Sequence, residues 1–429
     1  MGAKSATEPV YNRTRLFIVS VIALATGGMV FSIRTAIMIN LQGFFPEEVS
    51  AQIAGLAVGT AFLGLAIANF VGGPLCDFVG MRRLLVIASF LHIAGSLIII
   101  FTQQISSVIP VFWTLYIAMM SVGLAHGLIE AVINPLTATL YPDDKTHKLN
   151  VLHAWWPGGI IIGGLLAVAM TRLGLAWQIK QSVILLPALV YGIMALCTKF
   201  PPTERVAAGV SNKEMFAEAL KPLFIVWFIA MFFTATTELT TGQWIDSFLT
   251  RNVHMEGVLL LVYWSGLMFV MRHFAGGLAH RLSPVGLMWF SSLFAGIGLL
   301  LLSVANSPVT GLAAATVFGV GICYMWPTML AVTSEQFPKG GAFLIGLMGT
   351  AGNLSILFTM PLMGKIFDYY KARVSESLAA SYSFRWMAVL PAVLLVVFGL
   401  LWLGHIAKGG YKAVRLMPAE EAKPEEVKV

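Results

Sequence analysis

A carboxylate and an imidazole one helical turn apart inside an apolar run can hold and pass a proton. His126 and Glu130 stand so in the stretch SVGLAHGLIEAVINPLTATLYP, residues 121–142, with Asn134 one turn further on. Four-residue spacing puts all three side chains on one helical face. A carboxylate in hydrocarbon is expensive and normally faces a partner or a water-filled cavity. Pro135 removes a backbone donor and leaves a carbonyl one turn earlier without its usual bond. Acid, imidazole and open acceptor on one stripe read as part of a transport pathway.

Two other charges lie deep. At 1.5 Å per residue from the cytoplasmic helix ends, Arg34 is about 27 Å in, Glu238 about 26 Å and Glu130 about 16 Å. Arg34 has three readings: an ion pair that holds helices together, a fixed charge in place of a proton, or a binder of anionic solute. Its depth matches Glu238 better than Glu130, so an Arg34–acid pair in the empty cavity is expected. His126 either titrates near neutral pH or serves as a hydrogen-bonding strut. His153 with Trp155 and Trp156 forms either an interfacial aromatic belt or a stacking face for a sugar. Asn40, Gln42, Gln243, Trp264, Tyr324 and Asn353 complete the candidate solute-binding set, and Glu130, His126 and Glu238 the candidate proton carriers. Arg272, at the cytoplasmic end of its helix, either snorkels or stabilises a gate.

These groups need helices to hold them. The 429-residue chain is 58% hydrophobic and 11% charged, with mean hydropathy +0.83. About a quarter charged is normal for a water-soluble domain. The apolar runs reach about 20 residues or more, enough for a hydrocarbon core. The expected fold is an all-α membrane protein of twelve transmembrane helices in two pseudo-symmetric six-helix halves. They fall near 16–41, 51–75, 84–103, 109–140, 149–170, 180–198, 221–248, 257–279, 284–304, 309–335, 341–365 and 384–405. The first apolar run is long enough to span and reads as a helix, not a cleaved leader. With the N-terminus cytoplasmic, 18 of the 27 Lys and Arg residues fall inside and 7 outside, and Arg34 and Arg272 lie within spans. That excess predicts both termini in the cytoplasm of a cell (inner) membrane protein. It also accounts for the net charge of +7 without nucleic acid.

The expected domains are a cytoplasmic N-terminus (1–15), an N-terminal six-helix half (16–198), a cytoplasmic linker (199–220), a C-terminal six-helix half (221–405) and a disordered cytoplasmic tail (406–429). Within the linker, Ser211 and Glu214 have capping-box spacing. Three scattered cysteines, Cys76, Cys197 and Cys323, fit neither a metal site nor a disulfide framework. A weak internal repeat aligns Gly73 and Asp77 with Gly276 and His280, and Asn134-Pro135 with Trp326-Pro327. Two similar halves around a midplane site are a transporter plan.

Gly73-x-x-x-Asp77-x-x-Gly80-x-Arg82-Arg83 resembles the loop signature of the major facilitator superfamily, with Phe78 where an Arg is usual. Within it the chain is most similar to the fucose/glucose–proton symporter family. The residues are Gly127-Leu128-x-Glu130-x-x-x-Asn134-Pro135, Lys148-Leu149-Asn150, Glu238-x-x-x-Gly242, Arg272-x-x-x-Gly276 and Trp326-Pro327-Thr328. The resemblance implies proton-coupled import of a small sugar, with Glu130 as a proton or sugar-hydroxyl site, and gating or structural roles for the signature residues and for Arg272 and Gly276. One departure stands in helix 1, where FSIRTAIMINLQ has no acid and Arg34 or Thr35 falls near its place.

The resulting expectation is a monomeric secondary transporter of a hexose or deoxyhexose, driven by protons and needing no cofactor or metal. A sugar acid or organic anion bound through Arg34 is the second reading, and a non-transporting sensor or scaffold the third. No nucleophile–base pair suggests an enzyme.

Overall fold

The computed structural model describes residues 11–45, 51–242 and 257–416, without the side chains of 38, 39, 42, 51–58 and 257–261. Long apolar runs become long helices because hydrocarbon offers the backbone no hydrogen-bond partner but itself. In the first half these are α1 (Arg13–Phe44), α2 (Ala51–Leu75), α3 (Met81–Ile100), α4 (Val111–Leu140), α5 (Lys145–Arg172) and α6 (Trp177–Leu196). The second half begins with α7 (Pro222–Thr240) and α8 (Gly257–His273). Residues 275–282 continue α8 past Phe274. Ser283, at φ 65°, then breaks the chain ahead of Pro284 and α9 (284–302). The last three are α10 (Pro308–Gln336), α11 (Gly341–Lys371) and α12 (Glu376–Ala407). Ten stretches among the described residues are long and apolar enough to cross a membrane. They cover eleven of the twelve helices, because α2 and α3 form one stretch. The Gly257–His273 part of α8 is in none of them, and only its extension shares a stretch with α9.

Helices in lipid gain little from hiding apolar surface from one another, so small residues and hydrogen bonds decide which pairs form. In α4, a Cβ at Gly123 would lie 2.1 Å from the Ala61 carbonyl of α2, and at Gly127 2.4 Å from that of Leu65. Three of the helix prolines bear on contacts between helices, each freeing the carbonyl four residues back. Pro135 frees that of Ala131, and the Cys76 thiol donates to it at 3.2 Å. The other two such carbonyls, His153 (from Pro157) and Cys323 (from Pro327), face the space between the halves.

The halves meet closely at the linker end. In α2, Gly73 packs against the start of α11, where an added Cβ would meet the Ala342 carbonyl at 2.7 Å. The corresponding Gly276 packs against His147 of α5, at 2.8 Å on the same measure. Lys145 binds Glu204 at 2.7 Å and the Ser334 carbonyl at 3.2 Å. Thr146 donates to Glu335 at 2.8 Å, and Asn150 to Thr328 at 3.2 Å. Asp77, in the π-helical turn Cys76–Gly80, accepts from Thr203 at 2.5 Å and pairs with Arg205 at 2.6 Å. The loop signature thus anchors the linker. Gly80, at φ 93°, makes its turn, Arg82 donates to the Leu196 carbonyl, and Arg83 is exposed.

Ser211 and Glu214 form the expected capping box. Ser211, then Lys339, holds the Glu214 carboxyl down at about 2. The tail differs from expectation where it is described. Tyr411 donates to Glu335 at 2.6 Å, Val414 N–H to the Glu335 carbonyl at 2.8 Å, and Arg415 pairs with Asp143 of the first half. These bonds strap 411–415 across the closed end, whereas 417–429 lie outside the described residues.

Asp77→Asn removes the charge facing a buried guanidinium, which costs roughly 3 kcal/mol. The melting temperature, followed by intrinsic fluorescence, is expected to fall clearly, and Arg82→Ala to lower it much less. An unchanged melting temperature in Asp77→Asn would contradict this account of the linker anchor.

Candidate functional site

A cavity of about 140 Å³ lies between the halves. Its wall takes Phe31 from α1, Phe62 and Leu65 from α2, His126 and Glu130 from α4, and His153, Trp156 and Ile160 from α5. The second half adds Glu238, Leu239 and Gly242 from α7, Trp264, Ser265, Met268 and Arg272 from α8, Ile322 and Trp326 from α10, and Asn353 and Ile356 from α11. Most of this surface is apolar and aromatic, and its charges come in neutralising sets.

In the first half, Glu130 accepts from Asn69 at 3.1 Å and faces His126 at 3.6 Å. The His126 ring packs on Trp156 with centroids 4.7 Å apart. Asn134 donates to the Glu130 carbonyl at 2.8 Å, and its amide oxygen lies 2.8 Å from His153 Nε2. Asn134 therefore supports the wall from behind. Asn69 was not foreseen, because a single Asn within the apolar run AIANF carries no distinctive spacing. Its backbone is where α2 crosses α11: a Cβ on Gly346 would meet the Asn69 carbonyl at 2.5 Å. A hydrogen bond from the Glu130 carboxylate thus reaches a seam between the halves.

In the second half, Arg272 meets Glu238 at 3.2 Å and is 2% exposed. Its other donors find the proline-freed carbonyls: Nε donates to Cys323 and Nη1 to His153 at 2.9 Å. Arg272 neither snorkels nor sits at the membrane surface. It is a cavity residue that joins α7, α8 and α10 to α5. It also takes the acid that depth had assigned to Arg34. Depth along a helix does not report azimuth, and Arg34 points elsewhere. Its guanidinium lies 5.3 Å from the Phe31 ring and 5.6 Å from that of Phe62, with no ion pair among the described residues.

Two hydrogen-bonding atoms on the second half's side of this wall are uncommitted. Glu238 Oε2 and Trp326 Nε1 are buried with no partner among the described residues. Asn353 donates to Gly349 at 2.8 Å, which leaves its amide oxygen available. A solute bearing both donors and acceptors would satisfy all three.

Other candidates fall away from the cavity. Asn40 accepts from Lys180 at 3.2 Å at the end opposite the linker. Tyr324 stands behind the wall and donates to the Met271 carbonyl at 3.3 Å. Gln243 and the Gln42 side chain lie outside the described residues.

A family model described as "Major Facilitator Superfamily" matches residues 16–360 and 259–427. The chain belongs to this superfamily. Among curated members of the superfamily, the cis,cis-muconate transport protein of Acinetobacter baylyi is 24% identical over 327 residues, 71% of this chain and 77% of that protein. The fold is shared with the E. coli fucose:proton symporter FucP, at TM-score 0.70 and 14% identity over 88% of this chain and 98% of that one. It is also shared with the proton:xylose symporter XylE, at TM-score 0.74 and 14% identity over 91% and 96% of the two chains. The protein is thus a multi-pass membrane transporter of the major facilitator fold.

Breaking the Arg272–Glu238 pair from one side leaves a buried charge, at a cost of roughly 3–5 kcal/mol. Glu238→Gln and Arg272→Met are each expected to lower thermal stability strongly. The double variant should lose less than the sum, by about 1–3 kcal/mol of coupling. Strictly additive losses in unfolding measurements would mean that the pair is not energetically coupled.

Proposed function

We propose that the protein imports a monosaccharide-sized, polyhydroxylated solute by proton symport with alternating access. The observation that carries this reading is Glu130: a cavity-facing carboxylate hydrogen-bonded to Asn69, itself lodged where α2 crosses α11. The rest of the cavity suits a sugar. Aromatic rings of Trp156, Trp264 and Trp326 offer faces for C–H groups. Glu238 Oε2, Trp326 Nε1 and the Asn353 amide offer bonds to hydroxyls. Likeness in fold to fucose and xylose symporters supports the same solute class.

The mechanism follows from charge. With Glu130 ionised, the Asn69 amide and the His126 ring both favour the carboxylate. A proton arriving with solute removes that charge and weakens both contacts, which loosens the α2–α11 seam beside them. The linker end can then open and release solute and proton together. The unbalanced distribution of Lys and Arg supports placing that end, and both termini, in the cytoplasm of a cell membrane protein.

A second reading, in which the solute is an organic anion, is favoured by the muconate transporter among the relatives and by Arg34, which has no ion pair among the described residues.

Glu130→Gln keeps size and much of the hydrogen bonding but cannot titrate. In proteoliposomes tested with a panel of radiolabelled monosaccharides, this variant is expected to retain counterflow exchange and lose accumulation driven by a pH gradient. Undiminished pH-driven accumulation would reject Glu130 as the coupling site.

A further inference from the structure

A smaller annex of about 30 Å³ opens beside the main cavity, and Phe31, Phe62, Leu65, His126 and Trp156 line both. Arg34 and His92 line the annex alone. All three polar side chains here are buried: His92 is 0% exposed, His126 5% and Arg34 7%. Each has spare hydrogen-bonding capacity. His92 Nε2 and His126 Nδ1 lack a partner among the described residues. Arg34 touches aromatic faces and has no ion pair there. Among the described residues no acidic side chain lines the annex. The cavity's two acids are committed elsewhere, Glu130 to Asn69 and His126, and Glu238 to Arg272.

A buried guanidinium with no counter-charge is costly, and a missing counter-charge can be supplied by a ligand. The annex exceeds the space that one water-sized group requires, so a carboxylate oxygen can enter it. Its chemistry fits that group too. Arg34 offers planar paired donors matched to a carboxylate. The Tyr191 hydroxyl lies 3.1 Å from His92 Nδ1; in the tautomer where it donates there, the ring proton is on Nε2, which has no partner among the described residues. His126, with its Nε2 hydrogen toward Glu130, offers Nδ1 as an acceptor for a neighbouring solute hydroxyl.

We propose that the annex formed by Arg34, His92 and His126 binds the carboxylate of the solute, so that the transported sugar is a sugar acid with its hydroxylated body in the main cavity. This rests on the monosaccharide reading above and narrows it. Phe31 and Phe62 hold the guanidinium in place by their ring faces and exclude water, which strengthens its pairing with an incoming anion.

The test compares matched probes on the purified full-length protein: D-glucuronate with D-glucose, and D-galacturonate with D-galactose. Binding is read by tryptophan fluorescence and transport by counterflow in proteoliposomes. Each uronate is expected to bind about tenfold or more tightly than its aldose, as a charge-assisted bidentate pair allows. That preference ratio should fall to near one in Arg34→Gln and lie between in Arg34→Lys. The ratio is internal to each variant, so a general loss of binding or folding does not imitate the effect, and Arg34→Lys covers the case in which Arg34→Gln fails to fold. Parent protein that takes aldoses as well as uronates would overturn the annex and leave the sugar reading standing. A preference that survives in Arg34→Gln, or that is undiminished in Arg34→Lys, would also overturn it. Arg34-dependent binding of cis,cis-muconate without any uronate would uphold the carboxylate subsite and remove the monosaccharide body. Binding of none of these probes would overturn both.

Discussion

The arrangement depends on how one buried guanidinium is satisfied. Arg272 carries a full charge into a region where charge is expensive, and a single carboxylate does not use its five donors. Pro157 and Pro327 supply what is missing, because each strips a hydrogen bond from the carbonyl four residues before it. Those carbonyls, of His153 and Cys323, are the ones Arg272 binds. Sequence features that weaken two helices locally therefore create the acceptors that hold a third. Since His153 belongs to the first half and Cys323 to the second, the same side chain joins the halves at the cavity wall.

That junction gives the transport cycle its coupling points. Arg272 and Gly276 fasten α8 and its extension to α5, and Asn69 and Gly73 fasten α2 to α11. One seam contains the cavity's ion pair, and the other is one hydrogen bond from Glu130. On the proposed mechanism, solute contacting Glu238 would act on the first seam, and a proton arriving at Glu130 on the second. Opening of the linker end must break both, along with the polar bonds from Lys145, Thr146 and Asn150 and the tail strap. A requirement for two events before two seams part would be the physical content of the proposed symport.

Much of the fold was legible because hydrocarbon leaves few choices: apolar runs of the right length must be helices, and breaks such as Ser283-Pro284 mark their ends. The α4 stripe was legible because three polar residues at four-residue spacing must share a face. Partnerships between helices were not. Arg34 and Glu238 matched in depth, yet Glu238 faces Arg272, because spacing along a helix says nothing about rotation about it relative to a distant neighbour. Asn69 and His92 carried no pattern of their own. Their roles arise only where α2 and α3 pack on α4 and α6. The described part of the tail shows the same limit, since Tyr411 and Arg415 find acceptors that are far away in sequence.

The central claim is that contact between the halves at the linker end must be released in every cycle. Gly276 and His147 allow a direct test, because a Cβ at Gly276 would lie 3.3 Å from the His147 Cβ. That is near the separation a disulfide needs. With Cys197 replaced, oxidised His147→Cys/Gly276→Cys protein in proteoliposomes should still bind solute but not carry it across, and reduction should restore transport. Transport by the crosslinked protein at the rate of its reduced form would contradict the account.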